Sequence, residues 1–287
     1  MKIKILLTVI ILFGFFIRIW RIDHIPPMVD RSIYFFRIVS SLSYIGSGFL
    51  LYIFTKRLMH FKRIALLSAF IYTLLPWSFE QSRITSLPNI ALFIFLIFLN
   101  FFTFNKQVIL KIISLVFLIT VYFYLYPQVL NIVPVFKIQI SQILHNFFSI
   151  LSPEFFLFKN NLYWWGGVRD WGIINISLLP FMVIGILFLI ERKKYQIIIW
   201  TLLIALCTAL NSDFPETRVF YLSLPFISVT IATGIFKFIK KESLKIRIIF
   251  LILLAFYFYD LAQYFHYYLI HYPQQISGNI SEIHEAF

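Results

Sequence analysis

Charged residues are scarce in this chain of 287 residues, because Asp, Glu, Lys and Arg together make up only 13% of it. An ordinary soluble domain has about twice that share. Hydrophobic residues make up 61% and aromatic residues 20%, including 36 phenylalanines. A single core of this size cannot bury so much apolar surface, which excludes a soluble globular protein and a disordered chain. We therefore expect most of the chain to lie in a lipid bilayer.

Residues that usually carry metal and redox chemistry are also few. Cys207 is the one cysteine, so a disulfide within the chain is excluded. The six histidines are scattered, and none forms a metal-ligand pair at helical spacing. The sequence has no phosphate-binding glycine loop and no Gly-x-Ser-x-Gly motif. We therefore expect no metal ion and no cofactor.

Long apolar runs dominate what is present. A helix that crosses the hydrocarbon needs about 20 mostly apolar residues. The pattern predicts an all-α, polytopic membrane protein with about nine transmembrane helices in a single membrane domain, 1–287. The nine apolar segments are 3–20, 38–54, 64–77, 89–104, 112–127, 173–190, 196–210, 219–236 and 248–264.

The net charge of +13 is best explained by topology. With the N-terminus in the cytoplasm, 16 of the 25 Lys and Arg residues fall in the inner loops, and 10 of the 12 acidic residues fall outside. This predicts a multi-pass protein of the cytoplasmic membrane that contacts membrane lipids, not nucleic acid. The first helix is retained and the C-terminus lies outside. The outer connections are 21–37, 78–88, 128–172, 211–218 and the tail 265–287.

The first outer connection holds a candidate general base. Pro26 and Pro27 take the chain out of the helix, and Asp30 follows near the outer membrane surface. A carboxylate there could accept a proton from a substrate hydroxyl. The alternative is a solvated aspartate paired with Arg31.

Four arginines fall on the outer side, where the positive-inside rule does not require them. The planar fork of arginine suits phosphate, so a cluster of them would suit a lipid-linked phosphate or pyrophosphate. Alternatively, each reaches lipid headgroups or pairs with a nearby acid, such as Glu80 with Arg83. The four are Arg37, Arg83, Arg169 and Arg218.

The longest outer connection, 128–172, contains two further features. Over 134–151, apolar residues fall on one face of a helix and polar residues on another, which is typical of a helix that lies in the membrane interface. Residues 163–167, Tyr-Trp-Trp-Gly-Gly, could stack on a sugar ring or belong to an interfacial aromatic belt.

The order of the outer motifs resembles that of the GT-C membrane glycosyltransferases, in the branch related to protein O-mannosyltransferases and lipid A aminoarabinose transferases. One such motif is Pro76-Trp77 followed by Ser82-Arg83 and then by Asn-Ile-Ala-Leu-Phe at 89–93. The resemblance covers most of the chain in order, over residues 15–27, 34–42, 76–93, 152–158, 169–180 and 212–218.

The resemblance implies an inverting enzyme that transfers a sugar from a polyprenyl-phosphate carrier to an acceptor glycan, lipid or protein at the outer face. It identifies Asp30 as the base, and the four arginines are expected to hold the donor phosphate. The sequence departs from the family here, since Arg31 follows Asp30 where the family has Glu. Only Arg31 and residues 32–36 separate Asp30 from Arg37, whereas the family has some tens of residues between these two positions.

Two alternatives remain open. The shortened first outer connection favours a catalytically inactive or truncated GT-C-like protein, either a remnant or a partner subunit. A transporter of lipid-linked sugars would require charged groups inside the helices. The segment interiors hold almost none, with Asp260 the nearest exception, so this hypothesis ranks last.

Overall fold

The computed structural model describes residues 2–20, 32–83, 87–102, 140–158, 168, 171–210, 218–240 and 243–274. Regular structure in these ranges is helical, without a strand, which confirms the all-α prediction for them. Short 3₁₀ turns, Ile176–Leu178 and Arg218–Ser223, precede the helices Leu179–Glu191 and Leu224–Ile239, and the π-turn Tyr267–His271 continues the helix Leu244–His266. The helices are α1 (Lys2–Ile19), α2 (Ser32–Met59), α3 (Lys62–Leu74), α4 (Pro76–Arg83), α5 (Leu87–Phe102), α6 (Ile140–Ile150), α7 (Pro153–Leu157), α8 (Leu179–Glu191), α9 (Tyr195–Ala209), α10 (Leu224–Ile239) and α11 (Leu244–His266).

Seven of the nine predicted apolar segments coincide with a helix or a helix and its preceding turn. The segment 64–77 runs from α3 across a break at Leu75 into α4, and the segment 112–127 lies outside the described residues. Two described helices, Phe35–Met59 and Phe220–Ile239, are long and apolar enough to cross a membrane. A third crossing is added if Pro76–Arg83 and Pro88–Phe101, bent by 113°, form one span. The described residues thus support two or three crossings by length and composition, fewer than the nine predicted.

Helices α8 and α10 pack with their backbones almost in contact. A Cβ atom added at Gly185 would lie 1.9 Å from the carbonyl oxygen of Thr230, and one added at Gly234 would lie 1.8 Å from that of Phe181. Small residues allow this approach, as they do where membrane helices pack closely. Glu191, the last residue of α8, forms an ion pair with Lys237 in the last turn of α10.

In the core, α10 packs against α3, and α2 packs against both α3 and α5. Trp77 of α4 is completely buried at its centre. Its indole packs edge-on against Phe155 and Tyr221, with ring centroids 6.3 and 5.7 Å away, and is stacked on Phe220 at 6.5 Å. These contacts tie α4 to α7 and to the turn before α10.

A proline sets the boundary between α3 and α4. Leu75 has φ −62° and ψ 131°, the extended conformation expected before Pro76, and α3 therefore ends there. Pro76 then opens α4 at its first position, where the missing N–H costs nothing. The hydroxyl of Ser78 lies 2.8 Å from the Tyr72 carbonyl and 2.6 Å from that of Leu75, so it satisfies acceptors left by the end of α3.

A helix is observed within the predicted range 134–151 as α6, over Ile140–Ile150, and residues 134–139 lie outside the described ranges. Ile143 and Phe147 pack against the core. The Asn146 side chain donates a 3.2 Å hydrogen bond to the carbonyl of Ala209 in α9. The opposite face is apolar and exposed, and carries Ile140, Leu144 and Phe148.

Candidate functional site

The structure describes two of the five predicted site residues in full. Arg37 in α2 and Arg83 in α4 are both buried. Asp30 and Arg169 lie outside the described residues. Arg218 begins the 3₁₀ turn before α10, and its side chain is not among those described.

Arg83 binds the C-terminal end of α1. Its Nη1 atom donates to the backbone carbonyl oxygens of Ile17, Arg18 and Trp20, at 3.0, 2.9 and 2.8 Å. The last carbonyls of a helix have no partner within the helix and carry the negative end of its dipole. A buried guanidinium therefore compensates both the missing hydrogen bonds and the partial charge.

Arg18, in the last turn of α1, was not predicted as a site residue and is completely buried. Its Nη1 donates to the Gly14 carbonyl at 3.0 Å, and its Nη2 donates to the Thr73 carbonyl at 2.8 Å. Thr73 belongs to the last turn of α3, so Arg18 does for α3 what Arg83 does for α1. The guanidinium carbon also lies 3.9 Å from the centre of the Tyr44 ring, in a cation–π contact.

Phe79 lies between these two arginines. The guanidinium carbons of Arg18 and Arg83 are each 5.5 Å from its ring centre. Arg83 is also 5.7 Å from the ring of Tyr268. Cation–π contacts gain strength where water is excluded, so a buried aromatic ring is a favourable neighbour for two charges.

Arg37 lies in α2, near the positive charge of Arg83 and near Tyr268 and Tyr272. The structure therefore brings together two of the four arginines that the sequence placed on the outer side.

Glu80 is the buried carboxyl group of this region. Its Oε1 atom accepts hydrogen bonds from the Val168 backbone N–H and the Tyr264 hydroxyl, each at 3.2 Å. Its Oε2 atom is buried without a hydrogen bond to any described residue. The sequence suggested Arg83 as a partner, but both described hydrogen bonds of Glu80 come from elsewhere.

Three tyrosines line the other side of the cluster. Tyr264, Tyr268 and Tyr272 are four residues apart, so they share one face of α11 and its continuation. Adjacent ring centres are 6.0 and 5.2 Å apart. We call the whole set the arginine–tyrosine cluster: Arg18, Arg37, Phe79, Glu80, Arg83, Tyr264, Tyr268 and Tyr272.

A polar network supports the cluster from α2 and α5. The Asn89 amide donates to Ser40 Oγ at 2.7 Å and to the Gln81 carbonyl at 2.6 Å. Ser41 Oγ donates to the Ser82 carbonyl at 2.8 Å. The small serines after Arg37 thus let α2 approach α4 closely and fix the position of Arg83.

Sequence reasoning missed Arg18 and the tyrosines for different reasons. Arg18 ends an apolar run, and an arginine there is typical of any membrane helix. The tyrosines fall in the last predicted segment and tail, where aromatic residues are expected at an interface. Their spacing of four was the available signal for a shared face.

Comparison with protein-family models, with curated proteins and with solved structures finds no match for this chain. In the described ranges, no group of three or more His, Cys, Asp or Glu side chains could hold a metal ion.

Proposed function

We propose that this protein is a multi-pass membrane glycosyltransferase of the GT-C type, which moves a sugar from a polyprenyl-phosphate donor to an acceptor. The reaction takes place at the outer face of the cytoplasmic membrane. In this proposal the chain crosses the membrane nine times, with its N-terminus inside and its C-terminus outside. The acceptor is a glycan, a lipid or a protein.

The grouping of guanidinium groups in the arginine–tyrosine cluster carries the proposal. Its described residues include three buried arginines, Arg18, Arg37 and Arg83. The planar guanidinium fork suits the oxygens of a phosphate group.

The position of the cluster fits a membrane-bound donor. Arg37 lies at the start of the long apolar helix Phe35–Met59, whose other end carries the exposed residues Lys56 and Arg57. Basic residues at that other end indicate the cytoplasmic side. The cluster then lies at the outer end of the span, within reach of a lipid phosphate in the outer leaflet.

The roles follow from the chemistry of sugar transfer. Asp30 removes the proton from the acceptor hydroxyl, whose oxygen attacks the anomeric carbon and inverts its configuration. The bond from that carbon to the phosphate oxygen breaks, and the lipid phosphate leaves with the electron pair. Arg37, with Arg169 and Arg218, stabilises the negative charge on the leaving phosphate.

The test is transfer from a radiolabelled polyprenyl-phosphate hexose by the protein in lipid nanodiscs. We expect Asp30→Asn to lower kcat by about 100-fold or more while donor binding persists. We expect Arg37→Gln to raise the KM for the donor by about tenfold or more. Arg247→Gln is the matched control, because Arg247 is exposed at the opposite end of the protein, at the start of α11.

Unchanged transfer by the Asp30→Asn variant would exclude Asp30 as the base. Absence of both donor binding and transfer in the unmodified protein would exclude the proposed function.

One observation favours a second candidate, a GT-C-like protein that binds the lipid-linked sugar without transferring it. The Arg83 Nη1 atom is engaged by backbone carbonyls, and the connection that carries Asp30 is short. This candidate predicts that the nanodisc assay shows donor binding that depends on Arg37 but no product.

A further inference from the structure

We infer that Arg83 is a positioning residue, which holds the exit of α1 in place and acts on the proposed base through the backbone. The kinetic part of this inference rests on the proposed function, whereas the structural part does not.

The first argument is the geometry of Arg83. One nitrogen, Nη1, is within 3.0 Å of three carbonyl oxygens, and the last of them belongs to Trp20, beyond the end of α1. The side chain therefore fixes both the last turn of the helix and the residue that follows it. Arg83 is itself completely buried, and its helix α4 is anchored in the core by Trp77.

The second argument is that the end of α1 is held at two points. The Arg18 side chain leaves α1 and binds the Thr73 carbonyl at the end of α3, while the Arg83 side chain leaves α4 and binds the carbonyls at the end of α1. Two bonds in different directions resist rotation of α1 as well as its translation.

The third argument concerns the two ends of the connection 21–31. Trp20, before it, is bound by Arg83, and α2, after it, is joined to α4 by the hydrogen bond from Ser41 to the carbonyl of Ser82. Both flanking elements are thus attached to the end of α4 that carries Arg83. A catalytic group misplaced by about 1 Å can cost a factor of about 100 in rate, so fixed flanks matter for a base at Asp30.

Replacement by lysine separates positioning from phosphate binding. The described bonds from Arg83 to α1 come from one nitrogen, Nη1, and the lysine ammonium likewise offers its three donors at one point. A phosphate ligand uses the planar fork, which lysine lacks. Arg83→Lys should therefore rescue a positioning role and fail to rescue a phosphate-binding role.

The experiment uses the full chain in nanodiscs with Cys207→Ser and a nitroxide spin label at Trp20→Cys, a position that is 46% exposed. We expect Arg83→Gln to increase the mobility of the label and to lower kcat at least tenfold, with donor KM changed less than twofold. Arg83→Lys should restore label mobility to near that of the parent and recover most of kcat. Arg247→Gln is the control and should leave both unchanged.

Two results would overturn the inference: label mobility unchanged in Arg83→Gln, or a donor KM raised equally by Gln and Lys. If Arg83→Gln does not fold, the Arg83→Lys variant decides alone. A donor KM raised tenfold in Arg83→Lys would identify Arg83 as a phosphate ligand, whereas a near-normal donor KM would identify it as a positioning residue. If the protein transfers no sugar, the proposed function fails. The label mobility then still tests the positioning role.

Discussion

The hydroxyl group of Tyr264 lies 3.2 Å from Glu80 Oε1 and 3.1 Å from the carbonyl oxygen of Pro76, which ties α11 to the start of α4. All of these atoms are buried among aromatic rings, including Phe79, whose ring centre is 6.2 Å from that of Tyr264. A polar contact in such surroundings is specific, because the loss of either partner would leave the other one buried without this hydrogen bond. It couples the last described helix to the arginine–tyrosine cluster.

Loss of this hydroxyl should destabilise the protein. Tyr264→Phe leaves the buried Glu80 carboxyl without one of its donors, and we expect a cost of about 1–3 kcal/mol in the free energy of unfolding. Thermal unfolding in detergent measures it. The control is Tyr259→Phe in the same helix, where the side chain is exposed, and its unfolding temperature should not change. Equal stability of the two variants would contradict the structural role of the Tyr264 contact.

The crossing of α8 and α10 should not tolerate a methyl group. In Gly234→Ala, the new Cβ atom would lie 1.8 Å from a backbone oxygen, so the helices must separate. Overpacking of this kind costs about 1–3 kcal/mol, which exceeds the helix-propensity gain of about 0.5–1 kcal/mol from replacing glycine by alanine.

Gly48→Ala in α2 is the matched control, because its Cβ atom would meet Tyr72 at an ordinary 3.7 Å. We expect thermal unfolding to show a lower transition temperature for Gly234→Ala and an unchanged or higher one for Gly48→Ala. The reverse order would show that α8 and α10 do not cross as described.

The exposed face of α6 should contact lipid. Spin labels introduced at Leu144 and at Asn146 in a Cys207→Ser background report the two faces of the helix in nanodiscs. The label at Leu144 should show high accessibility to oxygen, which concentrates in hydrocarbon, since this position is 51% exposed on an apolar face. The label at Asn146, where the native side chain is buried against α9, should be poorly accessible. If the label at Leu144 were more accessible to a water-soluble nickel reagent than to oxygen, this face of α6 would lie in water.

The proposed topology predicts opposite labelling of two exposed positions. In the same cysteine-free background, Gln274→Cys should react in intact cells with a membrane-impermeant maleimide, because it follows α11 on the outer side. Lys193→Cys, in the turn between α8 and α9, should react only after permeabilisation. The reverse pattern would place the arginine–tyrosine cluster in the cytoplasm and contradict transfer at the outer face.

Hydrophobic runs predicted the helices well, because a segment surrounded by lipid or by other helices must satisfy its backbone internally. For example, the predicted segments 196–210 and 248–264 are observed within or close to Tyr195–Ala209 and Leu244–His266. The number of crossings was less predictable. The apolar run 89–104 is observed as α5, bent sharply away from α4, and several of the helices are shorter than a full span.

For the candidate site, charge distribution alone was enough to select Arg37 and Arg83 as candidates, because the predicted topology places them outside, where the positive-inside rule does not require arginine. Their partners depended on packing. Arg83 contacts carbonyls some 65 positions earlier in the chain, and Tyr264 contacts Glu80 over 184 positions. No local pattern encodes such pairs, since each forms only after α1, α4 and α11 have packed together.

The sequence thus determines that this protein is helical and rich in membrane-type segments, because both properties follow from local composition and spacing. Tertiary packing decides what its polar residues do. Arg18 and Arg83 each lie in the last turn of a helix. In the folded protein Arg18 binds the end of α3 and Arg83 binds the end of α1, because burial removes water and leaves backbone carbonyls as the acceptors within reach.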